Sequence, residues 1–187
     1  GGGGSDTWLR GQDGRVETWN GVVSEARLDL GTSGLLRHAP GPPLDGTFLD
    51  RGCGWGPLAM AMALESPKAA VWAVDVNERA VDLTTRNAAA NSAANVHAAL
   101  ADDVPADLRF DLIWSNPPIR VGKQVLHELL MAWLPRLSPS GSAYLVVQRN
   151  LGSDSLLSWL SSALPSFACS KYASSKGYRV LEVRRLA

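Results

Sequence analysis

The chain has 187 residues, 45% of them hydrophobic, with 18 Lys and Arg balanced by 18 Asp and Glu. That length fits one domain with a sizeable core, and no apolar run approaches the length of a membrane span. Zero net charge argues against a polyanionic partner until it is divided: residues 1–115 carry net −6 and residues 116–187 net +6, which turns the second part toward phosphates.

The first residues, G-G-G-G-S, have the composition of a flexible linker, with neither the charged nor the apolar region of a secretion signal. Residues 1–15 are therefore read as linker and residues 16–187 as a single domain. Within it, 16–44 (V-E-T-W-N-G-V-V-S…L-D-L-G-T-S-G-L-L) is expected to pack over a cleft as a short hairpin and helix. From Thr47 onward, short β-rich runs alternate with helical patterns. Strands are predicted at 47–50, 70–75, 96–100, 110–115, 142–148, 168–173 and 178–183, and helices at 57–65, 77–90, 123–134 and 154–163. Asn77 and Glu78 supply the cap and first-turn acid of the second helix. Strand–helix alternation with nearly continuous apolar strands predicts a Rossmann-like α/β fold, a mostly parallel sheet with helices on both faces. The last two strands are separated only by S-S-K-G, too short for a parallel crossover, so the final strand should be antiparallel.

Cys53 and Cys169 form no C-x-x-C pair, and His38, His97 and His127 are scattered. Free thiols in a reducing cytoplasm are expected, and no metal centre. The seven tryptophans are dispersed and read as core and cleft packing.

The first domain strand ends in L-D-R-G-C-G-W-G, residues 49–56. Gly52, Gly54 and Gly56 remove side chains where the backbone must turn close to a ligand, and the helix from Pro57 presents its N–H groups there. The pattern is G-x-G-x-G, which does not meet the dinucleotide fingerprint and disfavours a nicotinamide oxidoreductase. Asp75 ends the next strand, where a carboxylate can bind both ribose hydroxyls, with Val76 beside it. Asp102 and Asp103 follow the third strand, where one can accept from an adenine amine. Asp50, beside Cys53 and the glycines, can meet an ammonium. Each acid alone reads as a solvated loop charge. At successive carboxyl ends of one sheet they lie on the crevice edge where such folds bind ligands. Glycines plus acids suit a nucleoside with a zwitterionic tail, as in S-adenosylmethionine.

The fourth strand, F-D-L-I-W-S, stops at N-P-P-I-R, residues 116–120. Alone, two prolines are a strand terminator. Following a glycine turn and placed acids, the corner acquires chemistry. The amide oxygen of Asn116 and the carbonyl of Pro117 can accept hydrogen bonds from an exocyclic amine, aim its lone pair and stabilise charge developing on nitrogen. Proline suits the corner because its φ is fixed and its carbonyl is unencumbered.

These motifs resemble class I S-adenosylmethionine-dependent methyltransferases, specifically the RsmC-like group of small-subunit rRNA guanine-N2 methyltransferases. The matching stretches are 21–36, L-D-R-G-C-G-W-G-P-L-A (49–59), V-D-V-N-E-R-A-V (74–81), S-N-P-P-I-R-V-G-K (115–123), L-V-V-Q-R-N-L-G (145–152) and S-K-G-Y-R-V-L-E (175–182). The resemblance implies a seven-stranded sheet and cofactor contacts at Gly52, Gly54, Asp75 and the acid at 102–103. It places the substrate amine on Asn116 and Pro117, with Asn116, Asp50, Cys53 and Val76 also expected to contact the cofactor. Two departures stand out: Arg51, where many relatives are apolar, and Ile119, where many amino methylases carry a base-stacking aromatic.

Pro118 and Ile119 are assigned to the substrate, and Arg120, Lys123 and Arg149 to its phosphates, with Lys171, Lys176 and Arg179 as further cations. The expected protein is a cytoplasmic N-methyltransferase using S-adenosylmethionine on ribosomal RNA, without metal or membrane. An adenine, protein amide or small-molecule acceptor keeps the same chemistry. A non-catalytic RNA-binding factor would keep only the fold.

Overall fold

The computed structural model describes residues 5–9, 12–16 and 29–186. Two short strands, β1 (Ser5–Leu9) and β2 (Gln12–Val16), pair antiparallel as a separate sheet. They occupy most of the stretch read as linker. The glycine-rich start obscured two short runs separated by Arg10 and Gly11, a spacing that marks hairpins. The hairpin expected after residue 16 lies outside the described residues, whereas the expected helix is present as α1 (Leu30–His38).

The main sheet contains β3 (Thr47–Arg51), β4 (Ala70–Asp75), β5 (Val96–Leu100), β6 (Phe110–Ser115), β7 (Leu137–Gln148), β8 (Phe167–Ser175) and β9 (Tyr178–Arg185). Their spatial order is β5-β4-β3-β6-β7-β9-β8. Every pairing from β5 to β7 is parallel, and β9 slots antiparallel between β7 and β8. The helices are α2 (Pro57–Glu65), α3 (Glu78–Ala90), α4 (Lys123–Trp133) and α5 (Ser153–Ala163). Asn77 caps α3 as expected, its side-chain oxygen accepting from the Arg79 N–H at 2.8 Å.

Side chains alternate across the sheet with the strand period of two. Phe48, Val71, Ala73, Trp114 and Val146 join one core with α1 and α2. Leu49, Val74, Ile113, Leu145 and Leu181 join the other with α4 and α5. Both faces are covered, which explains the nearly continuous apolar strands. Residues 57–63 of α2 are buried all round, so this helix shows no polar stripe.

The chain leaves β3 toward β4 on one side, then returns to place β6 on the other. Asp50 of β3 sits opposite Trp114 of β6. This reversal opens a crevice beyond the carboxyl ends of the two strands, the usual ligand position in an open α/β sheet.

Candidate active site

The glycine turn leaves β3 at the crevice. The N–H groups of Gly52 and Cys53 both bond to the Val74 carbonyl, at 2.7 and 3.1 Å, and fold the backbone across β4. Gly52, Gly54 and Gly56 have φ of +86°, +57° and +99°, a region in which an L side chain is strained. A Cβ on Gly52 or Gly54 would meet no atom within 4 Å, so the missing side chains leave open space over the turn. At Gly56 it would meet Thr84 at 3.0 Å, so that glycine serves helix packing. Asp75 holds the turn from β4: its two oxygens accept from the Gly54 and Asn77 N–H groups at 3.1 and 3.0 Å. Each carboxylate oxygen keeps a second lone pair for a hydroxyl.

Beneath the turn, Asp50 is 1% exposed. One carboxyl oxygen accepts from the Ala59 N–H at 3.1 Å; the other has no hydrogen-bond partner among the described residues. Burial, reinforced by Asp75, pushes its pKa up to about 7, against the Ala59 bond and Arg51. Burial likewise pushes the Cys53 thiol up, which makes it inert packing. Arg51 is buried with its guanidinium 5.4 Å from the Trp133 ring centroid, and desolvation lowers its pKa. The ring face explains how a cation occupies an apolar position.

The N-P-P corner meets the start of α1. Asp29 caps α1 by accepting from the Thr32 N–H at 2.7 Å. The Asn116 amide nitrogen donates to the same Asp29 oxygen at 3.1 Å and to the Thr32 hydroxyl at 3.4 Å. With nitrogen tied, the Asn116 oxygen is the end left to accept a hydrogen bond. A Cβ on Gly31 would lie 3.0 Å from the Asn116 amide nitrogen and 3.3 Å from the Tyr178 ring. Glycine at 31 lets helix, corner and β9 come together.

Two adjoining spaces share Asp29 and Asn116. The inner one, about 160 Å³, is lined by Asp50, Gly52, Cys53, Gly54 and Trp55. The outer cleft, about 440 Å³, is lined by Pro117, Pro118, Ile119 and Arg120, with Gln148, Leu151 and Tyr178 opposite. Asp29, Gly31, Thr32 and Tyr178 carry no assignment from sequence reasoning, although each lies in a stretch that carries the resemblance. Only Asp29, placed before an apolar helical run, offered a local sign, that of an N-cap.

Other expected residues lie apart. Val76 is 73% exposed and, like the exposed Asp102 and Asp103 after β5, lines neither space. Lys123 lines a neighbouring cavity. Arg149 is exposed at the end of β7, with its N–H bonded to the Gly177 carbonyl at 2.9 Å. Arg179 is engaged within the protein by Asp154 at 3.8 Å and Ser174 at 2.9 Å. No group of His, Cys, Asp and Glu among the described residues can hold a metal ion, and no helix there is long and apolar enough to cross a membrane.

The reversed last strand and the open glycine turn above an unsatisfied acid define a class, the S-adenosylmethionine-dependent methyltransferases of Rossmann-like fold. Within it, the chain belongs to the methyltransferase small domain family, whose model matches residues 13–182. The Bacillus subtilis protein YbxB is 32% identical over 186 residues, covering 96% of this chain and 92% of YbxB. Ribosomal RNA small subunit methyltransferase C of Klebsiella pneumoniae is 40% identical over 119 residues, 63% of this chain but only 34% of that protein. Among solved structures, the Thermus thermophilus 16S rRNA N2 G1207 methyltransferase, RsmC, in complex with AdoMet and guanosine, superposes with a TM-score of 0.75 at 23% identity. That match covers 97% of this chain and 50% of the Thermus chain. The chain therefore spans about a third to a half of the RsmC proteins it matches.

Proposed function

We propose that this protein transfers a methyl group from S-adenosylmethionine to an exocyclic amine, the N2 of a guanine in ribosomal RNA. One observation carries the reading: Asn116 lines both the glycine-turn space and the outer cleft, so a donor in one and an acceptor in the other meet at its side chain.

The cofactor's residues fit its chemistry. Asp50 supplies an unsatisfied buried oxygen for an ammonium, directly or through water, and a cation there offsets the desolvation that raises its pKa. Gly52 and Gly54 leave room for close backbone approach beside Cys53. Asp75, which holds the turn, is assigned the ribose hydroxyls; Val76 and Asp102 or Asp103, exposed beyond the inner space at the ends of β4 and β5, are assigned the adenine and its amine. When bound, S-adenosylmethionine supplies an electrophilic methyl carbon on a sulfonium.

On the acceptor side, the Asn116 oxygen and the Pro117 carbonyl take hydrogen bonds from the –NH2 and hold its nitrogen lone pair on line. As charge develops on nitrogen, both bonds strengthen, which is a preference for the transition state over the ground state. The amine loses its proton after attack, so no side chain of tuned pKa is needed. Tyr178 supports a planar acceptor: it is the aromatic wall of the outer cleft, and offsets the absence of a ring at Ile119. The 40% identity to ribosomal RNA methyltransferase C proteins supports rRNA as the acceptor, and the net +6 of residues 116–187 supports a polyanion.

The test is methyl transfer from labelled cofactor to rRNA lacking the modification, with mass mapping of the product nucleotide. Asn116→Ala should lower kcat by about 100-fold or more, the scale for removing one preorganised hydrogen-bonding group, with cofactor Kd nearly unchanged by calorimetry. Full turnover in the variant would remove Asn116 from the chemistry, and a product other than N2-methylguanine would reassign the acceptor.

A further inference from the structure

A third cavity, about 370 Å³, lies between the first turns of α4 and α5. Ile119 and Leu151 line both it and the outer cleft, so the two spaces are neighbours across a shared wall. Leu126 and Leu156 make it apolar, and His127 and Trp159 make it aromatic. The His127 and Trp159 rings stack with centroids 3.6 Å apart and planes at 2°, and both are only partly buried.

The rim has the opposite character. Lys123 is exposed and lines it. Gly122 and Gly152, which also line it, begin α4 and α5 with φ of +98° and +97° and give neither helix a side-chain cap. An apolar aromatic slot with a cation and uncapped backbone N–H groups at its mouth matches a nucleotide, a planar base followed by a phosphate. We infer that this cavity receives the base of the nucleotide next to the methylated one. The protein then grips a short single strand, with the target base in the outer cleft and its neighbour beyond Ile119. Lys123, outside the acceptor cleft, sits where the neighbour's phosphate needs it. Ile119 also gains a purpose: a branched aliphatic side chain serves as a wall between two bases.

The inference rests on the outer cleft being a base site, and the experiment separates the two ideas. A dye-labelled RNA, U-U-G-U-U, is compared by fluorescence polarisation with the same RNA made abasic on one side of the guanosine, then the other. Methyl transfer to each RNA is measured in parallel. One abasic RNA should bind wild-type protein at least about five-fold more weakly, the lower end for losing a base–aromatic stack. Trp159→Leu should lose that preference. Ser155→Phe, which fills the cavity from an exposed position, should lose it too while still binding the sensitive abasic RNA as wild type does. Thermal melts confirm that at least one variant is folded. If wild type binds all three RNAs alike, or folded Ser155→Phe keeps the preference, the base pocket is overturned. Base-dependent binding without methyl transfer would leave the pocket standing and remove the guanine-acceptor reading.

Discussion

The carboxyl of Asp50 is 1% exposed, accepts one backbone hydrogen bond, and has its pKa pushed up from 3.8 to about 7, chiefly by burial. Between those values the folded chain keeps a proton that the unfolded chain has released. Stability therefore falls as pH rises from about 4 to about 7 and is flat for this group above that. At about 1.4 kcal/mol per unit, the ionised acid costs on the order of 4 kcal/mol above pH 7 and less than half of that at pH 5. Asp50→Asn keeps an oxygen for the Ala59 N–H and cannot ionise. Its stability advantage over cofactor-free wild type should grow by roughly 2–3 kcal/mol between pH 5 and pH 8, read from urea denaturation at both pH values. It should also weaken S-adenosylmethionine binding. A pH-independent gap would mean that Asp50 is not the group that titrates. Tighter binding by the variant would deny it the ammonium.

At the scale of elements, the start of α1 shows propensity and function pulling apart. Gly31 lies in the first turn of the helix and has no positive φ, so alanine there should gain up to about 1 kcal/mol in helix propensity. The same Cβ would sit 3.0 Å from the Asn116 amide nitrogen and 3.3 Å from the Tyr178 ring, which forces the corner outward by a few tenths of an ångström. Gly31→Ala is expected to keep or slightly raise Tm while lowering kcat roughly ten-fold, since small misplacements of an orienting group are costly. Loss of Tm with kcat intact would make Gly31 a packing residue only. This junction also marks where sequence reading stopped. The helix after Asn77 was legible because cap, composition and period agree locally, whereas the one at 57–65 showed only its proline start and a run of helix-forming residues. The reversed final strand followed from chain length alone, since Lys176 and Gly177 are all that separate β8 from β9. The early start of β7 was hidden because Leu137 pairs with Phe110 while the next paired residue is Ser142, and the intervening S-P-S-G reads as a turn. The tether from Asp29 to Asn116 spans 87 residues, and no local pattern encodes a contact created by the winding of the sheet.

Across the whole molecule, the cations of the basic part of the sequence are not equally available to a polyanion. Arg120 is exposed on the outer cleft, and the Arg149 backbone is bonded to Gly177 in the β8–β9 turn, beside exposed Lys176. Arg120 lines the cleft beside the N-P-P corner, and Arg149 and Lys176 lie outside it at the same end of the sheet. Arg179 belongs to the same basic stretch by sequence, yet it faces Asp154 and Ser174 with its side chain 13% exposed. Net charge therefore overcounts what a polyanion can meet. Single-stranded RNA binding loses about 0.7 in the slope of log K against log salt for each phosphate contact removed. Arg120→Ala and Arg149→Ala should each flatten the slope by about that much in filter binding between 50 and about 200 mM salt, conditions in which such contacts dominate affinity. Arg179→Ala should leave the slope unchanged, because its charge is already answered within the protein. An equal flattening for Arg179→Ala would carry the RNA path over α5 and β8, whereas unchanged slopes for Arg120→Ala and Arg149→Ala would remove the strand from this rim altogether.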